Sequence, residues 1–288
     1  LLIALFCALA LACGGGDDES SSSVTQAPAV TSSAAAATTS TPSPLRGDLT
    51  VFAAASLTDA FNEIGQAFQQ ANPAVTPKFN FASSSALRTQ LEQGARADVF
   101  ASADQIQMDN AKKAGVIEGN DQVFAKNKLV VIYPSSNPAS IQSIQDLAKP
   151  GVKFVLTDPS VPIGAYARTA LQQMAADPTF GPDFGRKVLG NLRSEEANVR
   201  AVVTKVQLGE ADAAIVYASD VTPSIANQIK SILVPDQFNV IATYPIAVVK
   251  DASNPTAARA FIEFVRGPQG QEILEKNNFI VDKETGST

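Results

Sequence analysis

The 288-residue sequence contains no histidine. That absence removes His-based general acid–base catalysis, Ser-His-Asp triads and imidazole metal ligands together. Cysteine is nearly absent too. Cys7 and Cys13 both lie in the first 13 residues, so the folded part carries no thiol, disulfide or cysteine metal site. Basic runs are missing, and the net charge of −6 argues against nucleic acid as a partner. No Ser-x-x-Lys or Gly-x-Ser-x-Gly stands at a motif, which speaks against a serine hydrolase, the alternative from the enzyme class. Asp98 and Asp104 have no third ligand clustered beside them, so neither a free metal cation nor a cofactor is expected. What is there is 45% hydrophobic and 17% charged, enough for a large core and for more than one globular unit.

The N-terminus reads as an export segment. Residues 1–12 are almost wholly apolar, too short for a membrane span and suited to a signal-peptide core. Leu9-Ala10-Leu11-Ala12-Cys13-Gly14 resembles the bacterial lipobox, in which the cysteine becomes the lipidated first residue of the mature chain. Residues 13–47 are then a tether rich in Gly, Ser, Thr, Ala and Pro, a composition that cannot bury a core. As a flexible coil it reaches about 30 Å. Asp17, Asp18, Glu19 and Arg46 give it −2 of the −6, which leaves −4 for residues 48–288. An anion bound by so acidic a domain needs oriented donors rather than bulk charge.

From Leu49 onward, strands alternate with amphipathic helices, the pattern of an α/β fold with parallel sheets. Four turns share one grammar, in which an apolar run ends, small or polar residues follow, and a helix opens. They are Ala53-Ala54-Ala55-Ser56-Leu57, Ala82-Ser83-Ser84-Ser85, Val161-Pro162-Ile163-Gly164 and Ala197-Asn198-Val199. Ser56, with Asp59 three residues on, reads as a helix N-cap close to a capping box. Helix starts expose unpaired N–H groups and the positive end of the helix dipole, so each is a natural anion cradle. An N-cap serine alone is ordinarily only a cap, and Val199 alone would be a core valine. The strand–helix pattern restarts after Lys128–Tyr133, which suggests two lobes. The run 240–249, broken by Pro245, reads as two strands or a crossing segment. Ligands in such folds sit at the carboxyl ends of strands, so the cleft between lobes is the expected site. Arg88, Arg168 and Arg200 follow three of the motifs and are read as solvated helix arginines outside the site.

Several segments taken together resemble one family. They are Val51-Phe52-Ala53-Ala54-Ala55-Ser56-Leu57-Thr58, Phe81-Ala82-Ser83-Ser84-Ser85 and Ala97-Asp98-Val99-Phe100-Ala101-Ser102-Ala103-Asp104 in the first half. Asp158-Pro159-Ser160-Val161-Pro162-Ile163-Gly164-Ala165-Tyr166-Ala167, Asn198-Val199-Arg200 and Ile215-Val216-Tyr217-Ala218-Ser219-Asp220 follow in the second. In this order, over about 48–282, they resemble the periplasmic molybdate-binding proteins of ABC importers. The resemblance implies a two-lobed, type II "Venus flytrap" periplasmic-binding-protein fold, α/β, with mixed, mostly parallel sheets and a two-strand hinge. The lobes would be 48–130 with 247–283, and 131–246, followed by a tail at 284–288. It also implies a monomer that binds molybdate or tungstate, catalyses nothing, and passes the anion to a membrane permease and its ATPase. Site roles carry over residue by residue. Ser56 and Ser84 would give hydroxyl and N–H donors, with Ser83 the alternative to Ser84. Ile163 and Val199 would give backbone N–H groups, and Tyr217 its phenol. Ile163 stands where the family often has Ala. Donors without acceptors suit a fully deprotonated dianion, whereas a carboxylate would select a protonated oxyanion such as phosphate. Sulfate or another tetrahedral oxyanion is the alternative within the binding class. The expected location is extracytoplasmic, with the membrane reached only through the lipid on Cys13.

Overall fold

The computed structural model describes residues 44–281. The export segment, Cys13, the tether up to residue 43 and the tail at 284–288 lie outside the described residues.

The first sheet begins with β1 (Gly47–Ala54), whose inner residues Leu49, Val51, Phe52 and Ala53 are buried. A strand covered on both faces reads as a continuous apolar run. Then come α1 (Thr58–Ala71), β2 (Val75–Ala82), α2 (Ser84–Glu92), β3 (Val99–Ala101), α3 (Gln105–Lys113) and β4 (Ile117–Asn127). One residue, Lys128, separates β4 from β5 (Leu129–Pro134), which belongs to the second sheet. That sheet is completed by β6 (Phe154–Thr157), β7 (Leu192–Glu196), β8 (Ala213–Tyr217) and β9 (Ile229–Leu233), with helices α4 (Pro162–Ala175), α5 (Phe184–Gly190) and α6 (Val199–Gln207). The chain returns through residues 234–241 to β10 (Ala242–Val249) in the first sheet, then ends in α7 (Pro255–Arg266) and α8 (Pro268–Lys276).

The strand orders are β2-β1-β3-β10-β4 and β7-β6-β8-β5-β9. In each sheet four of the five strands run the same way and one, β10 in the first sheet and β5 in the second, runs against them, so the sheets are mixed and mostly parallel. The antiparallel members are the strands next to the two crossings. Asn239 ties those crossings together: its side chain accepts from the Leu129 N–H at 2.8 Å and donates to the Leu129 carbonyl at 3.0 Å.

The run interrupted by Pro245 is one strand, not two. Its register against β4 shifts between Tyr244 and Pro245, and a bulge there accommodates a residue that cannot donate to a ladder. Because β10 lies wholly in the first sheet, the return crossing precedes Ala242 rather than falling at 246/247. Packing between α1 and α7 is aromatic, with Phe261 meeting Phe61 and Phe68 edge-on at 5.9 and 5.3 Å. Among the described residues, no helix is long and apolar enough to cross a membrane.

Candidate functional site

Four helix starts and one strand end converge on a small cavity, about 220 Å³ including its mouth. Ser56, Ser84, Ile163, Val199 and Tyr217 all line it, together with Ser83, Asn198 and a set of small apolar residues. No lining residue carries a charge.

The first turn follows β1. Ser56 lies inside a short 3₁₀ turn, Ala55–Leu57, that runs into α1. It is therefore not the N-cap expected from its sequence position. That position is Leu57, which has no side-chain cap, and Asp59 faces Arg200 instead of closing a capping box. The buried Ser56 hydroxyl is left to meet the Tyr244 hydroxyl at 2.9 Å and to line the cavity. The second turn opens α2. Ser83 is the cap there, accepting from the Ala86 N–H at 3.4 Å. Ser84, first in the helix and 1% exposed, accepts the Ala103 N–H at 2.9 Å, which leaves its own proton to donate elsewhere.

The other turns come from the second sheet. Val161 and Pro162 start α4, a favourable place for proline, whose missing N–H is not needed in the first turn. Gly164 lets this helix press onto the end of β6. A Cβ there would lie 2.2 Å from the Asp158 carbonyl and 2.6 Å from the Thr157 hydroxyl. Asn198 caps α6 by accepting from the Ala201 N–H at 3.2 Å, and Val199 follows as first helical residue. Backbone N–H groups at Ser84, Ile163 and Val199 belong to first turns, where no intrahelical carbonyl is available. Their side chains separate from that role: those of Ile163 and Val199 are packed in the core.

Tyr217 ends β8. Its ring is 1% exposed, and its hydroxyl is buried with no hydrogen-bond partner among the described residues. Burial, then the neighbouring Tyr244, holds the phenol well above its ordinary pKa, so it stays protonated and acts as a donor.

Charge lies one layer out. The Arg200 Nε donates to the Ala55 carbonyl at 3.2 Å, and a terminal guanidinium nitrogen reaches Asp59 at 2.5 Å. Arg200 thus spans the cleft from α6 to the turn bearing Ser56, and is not the freely solvated arginine that the sequence suggested. Behind it lies the buried Asp220. One carboxylate oxygen accepts the Tyr217 N–H at 3.0 Å and the other is 3.6 Å from the Arg200 Nε. Burial raises the Asp220 pKa to about 6, against the opposing pull of Arg200. Asp104 caps α3, accepting from Gln107 at 2.8 Å, and burial raises it also to about 6. Among the described residues, no cluster of three or more carboxylates, histidines or cysteines could hold a metal ion. Tyr244 and Asn127, beneath Ser56, escaped sequence reasoning. Tyr244 lies inside the apolar run 240–249 and Asn127 stands between Lys126 and Lys128, so neither carries a local motif.

Known proteins match both chain and fold. Over 242 residues the chain is 41% identical to the molybdate-binding protein ModA of Mycobacterium tuberculosis, covering 83% of this chain and 88% of the relative. The periplasmic molybdate-binding protein of Azotobacter vinelandii superposes with a TM-score of 0.70 at 18% identity, covering 82% of this chain and all of that one. The sulfate-binding protein SubI of Mycobacterium tuberculosis superposes with 0.73 at 18% identity, covering 83% and 88%. At such identities the two structures establish the fold alone. The model of the bacterial extracellular solute-binding protein family matches residues 49–280, and this chain belongs to that family.

Proposed function

We propose that the chain is an extracytoplasmic binding protein that captures molybdate, and tungstate with it, and delivers the anion to an ABC permease and its ATPase. One observation carries the reading: the buried Tyr217 hydroxyl has no hydrogen-bond partner among the described residues and lines a cavity without charge. A buried hydroxyl left unsatisfied costs about 1–3 kcal/mol, which an oxyanion accepting its proton would recover. Ser56, Ser84, the N–H groups of Ile163 and Val199, and Tyr217 then form a donor-only shell from both sheets. A dianion with no proton to give is what such a shell accepts. Its charge is met by helix starts rather than by a lysine or arginine in contact, consistent with a ligand that must leave again.

Donors from two lobes are all engaged only when the lobes are together, so ligand and closure stabilise one another. The lobes would open about Lys128 and residues 234–241. The reading extends to a monomer, exported and held at the membrane by a lipid on Cys13 with the tether as a leash. It includes no catalysis, in keeping with relatives that are solute-binding proteins. Calorimetric titration of the chain with molybdate, tungstate, sulfate and phosphate at one ionic strength tests it. Binding of the first two well above the others is expected. Sulfate binding as tight as molybdate would replace the ligand with the smaller oxyanion, and binding of none would overturn the oxyanion reading.

A further inference from the structure

Ser56 can contribute to a donor-only shell only if its hydroxyl proton points into the cavity. The 2.9 Å contact with the Tyr244 hydroxyl does not by itself decide that, since either oxygen could be the donor. The next link decides it. Asn127, fully buried at the end of β4, accepts the Lys128 N–H on its side-chain carbonyl at 2.9 Å. Its amide nitrogen is therefore the atom turned inward, 2.8 Å from the Ser219 hydroxyl and 3.5 Å from the Tyr244 hydroxyl. An amide NH₂ has two protons and only donates, so each proton has one acceptor. Among the described residues the Tyr244 hydroxyl meets only the Asn127 amide, which cannot accept, and Ser56, so Ser56 is the one acceptor for its proton. Ser56, accepting that proton, sends its own into the cavity.

We propose that Asn127 and Tyr244 are positioning residues that order this chain of hydroxyls, fixing Ser56 as a donor and so biasing the site toward fully deprotonated oxyanions. The proposal rests on the oxyanion reading above and names a selectivity device within that site. A Ser56 lone pair facing the ligand would repel a dianion, yet it would accept the proton of hydrogen phosphate. The ordered chain withholds that acceptor. Tyr244 is fully buried, and burial keeps its phenol well above its ordinary pKa, so it does not lose the proton that the chain passes on. The relay also sits at the hinge. Asn127 precedes the first crossing, Tyr244 follows the second, and Ser219 belongs to the turn after β8. Closure and the orientation of one donor are thereby set by the same side chains.

The test is a double-mutant cycle read by calorimetry with sodium molybdate and sodium phosphate at pH 8 and constant ionic strength. Tyr244→Phe should weaken molybdate about tenfold in the wild-type background and less than twofold in the Ser56→Ala background. A loss caused by damaged packing would be the same in both. Asn127→Asp is the second variant. Its carboxylate still accepts the Lys128 N–H but offers Tyr244 an acceptor, which reverses the chain. The added charge weakens both dianions, whereas reversal of Ser56 should also lower the ratio of molybdate to phosphate affinity about tenfold. Equal losses from Tyr244→Phe in both backgrounds, or an unchanged ratio in Asn127→Asp, would overturn the relay while leaving the oxyanion reading intact. A wild-type protein that fails to bind molybdate would overturn both.

Discussion

Replacing Tyr217 by phenylalanine should have opposite effects on the empty and the loaded protein. The substitution removes one oxygen and keeps a ring that packs edge-on to Tyr244 at 5.8 Å. With the lobes together and no anion accepting from it, that oxygen is buried without a hydrogen-bond partner among the described residues. Its removal relieves a desolvation cost of about 1–3 kcal/mol, less whatever a water entering the cavity already recovers. For a domain of this size, 1 kcal/mol is about 2–4 °C in melting temperature, so the empty variant should melt at or slightly above the wild type. With molybdate bound, the variant lacks one hydrogen bond to a charged acceptor, worth about 1.5–3 kcal/mol. The dissociation constant should therefore rise roughly 10- to 150-fold. The assay is a pair of melting curves with and without molybdate, alongside a calorimetric titration. A variant with a lower melting temperature and unchanged affinity would mean that the hydroxyl serves packing, and that the oxyanion does not touch it.

Other variants test the surrounding structure. Arg200→Ala should weaken molybdate and sulfate by the same factor, about 5- to 20-fold, because it removes a cross-cleft contact rather than a ligand contact; a shift in their ratio, read by calorimetry, would count against the latch. Arg200→Lys should recover only part of that loss, since lysine cannot serve the Ala55 carbonyl and Asp59 with a fork. Gly164→Ala should lower both affinity and melting temperature, since the added methyl meets backbone oxygen at 2.2 Å and must displace the start of α4; an unchanged titration would refute it. Asp220 has a raised pKa, so its contribution to stability is fully present below about 3.8 and is lost as pH rises through about 6. Asp220→Asn, which can still accept the Tyr217 N–H, should flatten that part of the pH–stability profile by a few kcal/mol between pH 4 and 7, and parallel profiles would refute the assignment.

The legible part of the fold was the part with strong local rules. Apolar runs marked β1, β5, β6 and β8, and periods of 3.6 marked α1, α4, α6 and α7. What escaped were elements whose sequences look like loops. β7 is Leu-Arg-Ser-Glu-Glu and lies at a sheet edge, where polar residues protect unpaired backbone from other strands. β4 is also a sheet edge and is polar for most of its length, and β9, the edge opposite β7, is a short Ile-Lys-Ser-Ile-Leu segment with only Ile229 buried. α8 starts at Pro268, immediately after α7 ends at Arg266, so a proline that reads as a stop is also a start. Pro245 shows the converse, because a bulge lets β10 continue through a residue that normally excludes a central strand.

At the site, the sequence exposed the residues that occupy helix starts and hid those that act across the cleft. Helix caps are local, so Ser83, Asn198 and Asp104 can be found from spacing alone. Arg200 cannot, because Asp59 and the Ala55 carbonyl are more than 140 positions away in the chain. The same separation explains why an acidic domain can hold an anion. Asp59 and Asp220 lie on either side of Arg200, so these two carboxylates are engaged with a cation rather than facing the ligand. The cavity itself then sees helix starts, hydroxyls and no carboxylate. Opening the cleft would pull Arg200 from the Ala55 carbonyl and Asp59 while parting Ser56 and Ser84 from Ile163, Val199 and Tyr217. On the proposed reading, loss of the Arg200 contacts and loss of donors from one side of the cavity are one movement, so closure and the bound anion would each lower the cost of the other.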